Sequence, residues 1–85
     1  MPNQTLTDER LEALLSQVKA KRALPSPAQR KAIRLASSAS VAAVAAACGV
    51  SEVTIGRWEK GDRSPSGKHL ERYLEVLRVL QDAVV

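Results

Sequence analysis

Apolar residues recur early in the chain at Leu11, Leu14, Leu15 and Val18, the i, i+3, i+4, i+7 spacing of one helical face. The period predicts a helix over about 8–22, with Thr5 or Thr7 as its cap. Leu24-Pro25-Ser26-Pro27 ends it, because proline lacks a backbone donor and drives the residue before it out of helical geometry. Ser26 with Pro27 then opens a second helix over about 27–37. Here Ala28, Ala32, Leu35 and Ala36 share one face and Arg30, Lys31 and Arg34 another, which predicts a core side and an anion-facing side.

The next stretch, SASVAAVAAACGVS at 38–51, carries no charge. Ser40 is placed to cap a short helix ending at Cys48, and Gly49 can turn the chain left-handed. Ser51 opens a further helix to about Lys60, which Gly61 stops before the loop GDRSPSG at 61–67. A last helix is predicted over about 67–82, with Leu70, Tyr73, Leu74, Leu77, Leu80 and Val84 in one stripe and Val76, Val79 and Ala83 widening it. One-sided packing needs a stripe somewhat over 100° wide, and this one spans about twice that, so something further must cover it. Two covers remain open: the first helix folding back through Leu11, Leu14, Leu15 and Val18, or a homodimer contact through the C-terminal helix.

The pattern therefore predicts an all-α bundle of about five helices, divided into an N-terminal amphipathic helix and linker (1–25) and a helical domain with the C-terminal helix (26–85). Composition agrees: 85 residues allow one modest core, and with aromatics at 2% that core must be aliphatic. The net charge of +4 is unevenly placed, since no acidic residue lies between Glu12 and Glu52 while Lys19, Lys21, Arg22, Arg30, Lys31 and Arg34 do. A single cysteine, Cys48, excludes an internal disulfide and sets a cytoplasmic address as the expectation. No apolar run reaches the roughly 18 residues of a membrane span, and MPNQTLTDER lacks the order of a signal peptide.

The two short helices around Gly49 are the most informative feature. A tight helix-turn-helix packs at a steep angle and needs small residues at the crossing, which Ala42, Ala43, Ala45, Ala46 and Ala47 supply. At about 100° per residue Ile55 and Trp58 point inward, leaving Glu52, Val53, Gly56, Arg57 and Lys60 outward. Such a helix (about 52–60) suits the major groove, where Arg57 can read guanine, Glu52 can accept from a cytosine amino group and Val53 can touch a thymine methyl. The Arg30 and Arg34 face is expected to hold phosphate. Glu59 is expected to pair with Arg63 or cap the loop.

Residues 41–65, VAAVAAACGVSEVTIGRWEKGDRSP, resemble the phage-repressor and Cro-type helix-turn-helix family, also called the xenobiotic response element family. GVS at 49–51, TIGRWEKG at 54–61 and RSP at 63–65 carry most of the likeness, which covers about 27–80. The leading helix and the ALPSP linker resemble small regulators of actinobacteria and their phages. The resemblance implies a lambda-repressor-like bundle that binds a double-stranded DNA operator, with Glu52, Val53 and Arg57 meeting bases and Ser40, Thr54, Lys60 and Arg63 meeting phosphates. Val41 stands where the family often has Gln, and Trp58 and Cys48 replace aliphatic residues.

No Ser-His-Asp set, phosphate-cradling glycine loop or paired carboxylates suggest catalysis, so no enzyme, cofactor or small-molecule substrate is expected. His69 has no partners at metal-ligand spacing. The leading expectation is a transcriptional regulator of phage or bacterial repressor type. The competing one is a protein-binding module on the same fold, such as an antitoxin or a phage-encoded modulator of a host factor.

Overall fold

A computed structural model describes the backbone of residues 2–84 and the side chains of residues 8–84. Among these residues five helices and no strand are found: α1 (Pro2–Ala23), α2 (Pro27–Ala36), α3 (Val41–Cys48), α4 (Glu52–Lys60) and α5 (Gly67–Val84). The helix α1 begins ahead of Thr5 and Thr7, so neither caps it, and their side chains lie outside the described set.

The helix starts follow local chemistry. Ser26 Oγ accepts from the Gln29 N–H at 3.3 Å while Gln29 Oε1 accepts from the Ser26 N–H at 3.0 Å, a reciprocal capping box on α2. Ser40 and Ser51 cap α3 and α4 through their hydroxyls without the reciprocal bond, accepting from the N–H groups of Ala43 at 3.0 Å and Thr54 at 3.2 Å. The two stops that matter for the site require glycine. Gly49 closes α3 at φ 72° and Gly61 closes α4 at φ 81°, where a Cβ would also sit 3.1 Å from Pro27 Cγ.

The core is built by Val44, Ala45 and Cys48 of α3, Ile55 and Trp58 of α4, and Leu70, Tyr73 and Leu77 of α5. Trp58 stacks at a tilt on Tyr73, with ring centroids 4.7 Å apart. Of the five alanines expected at the helix crossing only Ala45 is buried; Ala42, Ala43, Ala46 and Ala47 are exposed. Only the 44, 45, 48 line of so short a helix reaches the interior, so Val44 supplies bulk where smallness was expected.

The expected faces of α2 are reversed. Ala28, Ala32, Ala36 and Leu35 face out, Leu35 at 58% exposure, while Arg30 and Arg34 are buried beside the half-buried Ile33. Nor does α1 fold back through its leucines. It meets α5 through Gln17, whose Oε1 accepts from the Gly67 N–H at 3.2 Å and whose Nε2 reaches Glu71 Oε1 at 3.2 Å. The Cα radius of gyration of 14.9 Å exceeds the roughly 12 Å of a compact chain this long, because α1 extends beyond the bundle. No single helix among the described residues is long and apolar enough to cross a membrane.

Tyr73 makes the core pH-sensitive. Its hydroxyl is buried without a hydrogen-bond partner among the described groups, and burial, reinforced by Glu59, pushes its pKa from 10.0 to about 12. A tyrosine pKa raised by folding means the folded state keeps a proton the unfolded state releases. Stability is therefore full below about pH 10 and declines as pH rises through about 12. Alkaline unfolding followed by Trp58 fluorescence should show this loss in the native chain and a clearly smaller one in Tyr73→Phe.

Candidate nucleic-acid interface

The orientation of α4 follows from its inward residues. Ile55 is fully buried and Trp58 is 4% exposed, which fixes the helix about its axis and turns Glu52, Val53, Arg57 and Lys60 to the exterior. Val53 is 63% exposed, far more than a valine on a packed face. Among the described residues no hydrogen bond or ion pair engages the side chains of Glu52, Arg57 or Lys60.

Three of the expected contact residues share one concavity. Thr54, Arg57 and Arg63 line a cavity of about 240 Å³ together with Trp58, Ser64, Pro65, Ser66 and His69. Two arginines at its wall and three hydroxyl side chains give it hydrogen-bond donors of the kind that suit an anionic oxygen. Thr54 is half-buried and its hydroxyl shares a 2.9 Å hydrogen bond with Ser51 Oγ, which steadies the first turn of α4. Ser40 is exposed but already caps α3, so it adds a hydroxyl donor at that helix start. Ser64, Ser66 and His69 were not read from the sequence as part of the site. The run Arg63-Ser64-Pro65-Ser66 ahead of a helix start was the available signal.

Arg30 and Arg34, expected to face phosphate, are spent inside the domain. Arg30 donates from Nε to the Pro25 carbonyl at 2.7 Å and from Nη1 to the Trp58 carbonyl at 2.9 Å, near the C-terminal end of α4 where a cation suits the helix dipole. Burial pulls its pKa down, offset in part by Tyr73. Arg34 grips Glu59 with both arms, Nε to Oε2 at 2.7 Å and Nη2 to Oε1 at 3.0 Å, and also donates from Nη1 to the Ala39 carbonyl at 3.1 Å. The hydrogen bond to Glu59 raises its pKa against the opposing effect of burial. Glu59 therefore pairs with Arg34, not with Arg63. Of the three cations expected on α2, Lys31 alone faces solvent.

The two arginines instead lock the outward helix to its support. Both reach from α2 to the last turn of α4, so the face bearing Glu52, Val53 and Arg57 is held from behind by polar contacts and by Ile55 and Trp58. Among the described residues no group of three or more His, Cys, Asp or Glu side chains is placed to hold a metal ion. Cys48 is buried, and burial raises its pKa, which keeps it a thiol.

A family model described as helix-turn-helix matches residues 26–79. The match begins at the Ser26 cap and ends within α5, leaving α1 outside it. No curated protein and no solved structure matches the chain.

Proposed function

Because the chain belongs to the Cro/C1-type helix-turn-helix family, whose model covers well over half of it, and is thereby a DNA-binding helix-turn-helix protein, we propose that it is a sequence-specific transcriptional regulator of phage or bacterial repressor type. In this reading α4 enters the major groove. Glu52, Val53 and Arg57 meet base edges, while Thr54, Lys60, Arg63 and Ser40 hold phosphates on either side. The observation that carries the reading is a contrast between cations. Arg30 and Arg34 have every chance to face solvent and are tied up internally, whereas Arg57 and Lys60 stand on a rigid helix with no internal partner among the described residues.

The operator is read by a dimer. The C-terminal helix supplies the contact, since Val76, Val79 and Leu80 of α5 line an apolar groove of about 270 Å³ with Ala39, Ala43 and Ala47. Two copies related by a two-fold axis place their α4 helices about one turn of DNA apart.

Gly56 tests the close approach that this reading demands. Glycine inside a helix costs about 1 kcal/mol relative to alanine, and a Cβ added at Gly56 would meet nothing within 4 Å. The domain itself does not require glycine there; a surface pressed against α4 does. Gly56→Ala is expected to raise stability by roughly 0.5–1 kcal/mol in urea denaturation while weakening specific DNA binding. A variant that is more stable and binds DNA as before would show that nothing approaches this turn of the helix.

A further inference from the structure

We propose that α1 is a self-association element, pairing antiparallel with α1 of a second copy of this chain. The inference does not rest on DNA binding. Leu11, Leu14, Leu15 and Val18 are 57%, 61%, 52% and 36% exposed and form one continuous stripe of helical spacing. It faces away from the bundle. The residues of α1 that approach the domain are Gln17 and Ala20, both half-buried, followed by the half-buried Leu24 just past the helix end, and at about 100° per residue the line of Gln17 and Ala20 lies roughly 140° around the helix from the centre of the leucine stripe. Intramolecular packing and the stripe thus use separate sides of one helix.

The unsupported part of α1 needs a partner. Its side-chain hydrogen bonds to the rest of the chain, among the described residues, all come from Gln17, so the turns before it stand clear of the bundle. A helix segment of that length is marginal in water by itself, and burying its apolar face against another helix is what stabilises it.

The charges select a second copy, and its direction. Asp8, Glu9 and Glu12 lie in the first half of the helix and Lys19, Lys21 and Arg22 in the last half, with Arg10 the exception. Laid parallel, two copies set acid beside acid and base beside base. Laid antiparallel about Leu14 and Leu15, they bring Asp8 and Glu12 of one toward Lys19 and Arg22 of the other, with Leu11 opposite Val18. The leucine stripe and the flank bearing Asp8, Glu12, Lys19 and Arg22 are self-complementary under a two-fold axis, as an isologous contact requires, while Arg10 and Lys21 share the opposite flank. With the contact proposed on α5 it gives the chain two different two-fold contacts, the means to assemble beyond a dimer.

The test uses full-length Leu11→Cys and Val18→Cys, each expressed separately, then mixed in equal amounts and oxidised without denaturant. Peptide mapping by mass spectrometry should find disulfides joining position 11 of one chain to position 18 of another in excess over 11 to 11 and 18 to 18. The unsubstituted chain, whose Cys48 is buried, gives the background. A second variant, Leu14→Glu, should lose assembly beyond the α5 dimer in sedimentation while keeping its unfolding temperature at concentrations where the chain is monomeric. Excess 11-to-11 linkage would overturn the antiparallel arrangement. Cross-linking no greater than background would overturn the pairing itself, as would a Leu14→Glu chain that melts earlier as a monomer, since the stripe would then be packed within one molecule.

Discussion

Replacing Arg34 by alanine is expected to lower the stability of the domain by about 3 kcal/mol, the low end of what removing one partner from a buried ion pair costs. The side chains of Arg34 and Glu59 are only 11% and 7% exposed, and two parallel hydrogen bonds join them. Without Arg34 the Glu59 carboxylate stays in the interior with no counter-charge, and the Ala39 carbonyl loses its donor as well. The loss reaches further than one contact, because the pair ties α2 to the end of α4. Chemical denaturation should show a lower midpoint with an unchanged slope. Arg34→Met combined with Glu59→Leu should recover much of the loss, since an apolar pair of similar volume avoids the stranded charge. On DNA, correctly folded Arg34→Ala should keep its salt dependence, whereas Lys60→Ala should lower the salt slope by about one. Unchanged stability with a reduced salt slope would mean that Arg34 leaves Glu59 to hold phosphate.

Arg57→Ala is expected to cost roughly 1–3 kcal/mol of affinity, about 5- to 150-fold, for the preferred DNA sequence and much less for unrelated duplexes. The side chain is exposed and stands on a helix that cannot rotate, with Ile55 and Trp58 buried on either side of it in sequence. Its backbone carbonyl is already taken by the N–H groups of Gly61 and Asp62 in the left-handed stop, so the last turn of α4 is fixed as well. From a backbone held that firmly the planar guanidinium fork reaches a guanine edge with two parallel hydrogen bonds and no rearrangement of the helix. Anisotropy titrations on the preferred and a scrambled duplex measure the difference directly. Equal losses on both would assign Arg57 to phosphate.

The helices and their joints were legible because short-range chemistry sets them. Ser26, Ser40 and Ser51 cap where their positions before apolar runs indicated, Pro25 breaks the chain, and Gly49 and Gly61 stop the motif helices. The inward turn of Ile55 and Trp58 was legible for the same reason, one helical period with one side apolar. The α2 helix was misread because two faces compete. Arg30, Ile33, Arg34 and Ser37 repeat with helical spacing as regularly as Ala28, Ala32, Leu35 and Ala36 do, and a charge rule prefers the second set for the core. The arginines win because carbonyls of Pro25, Trp58 and Ala39 and the carboxylate of Glu59 satisfy their donors, while their aliphatic stems fill space. A clue lay in α4: Glu59 follows Ile55 by one turn, which places a carboxylate on the buried face and calls for a buried cation opposite. The stripe on α1 was read correctly as apolar, but neither periodicity nor composition says which molecule covers it.

Whether the outward face of α4 reads DNA sequence is decided by selecting bound sites from random duplex DNA with the unsubstituted chain. A two-fold symmetric site with half-sites about one helical turn apart should be enriched, containing a guanine whose enrichment disappears when the selection is repeated with Arg57→Ala. Retention of DNA with no sequence enriched, by native chain and variant alike, would contradict sequence reading by that face.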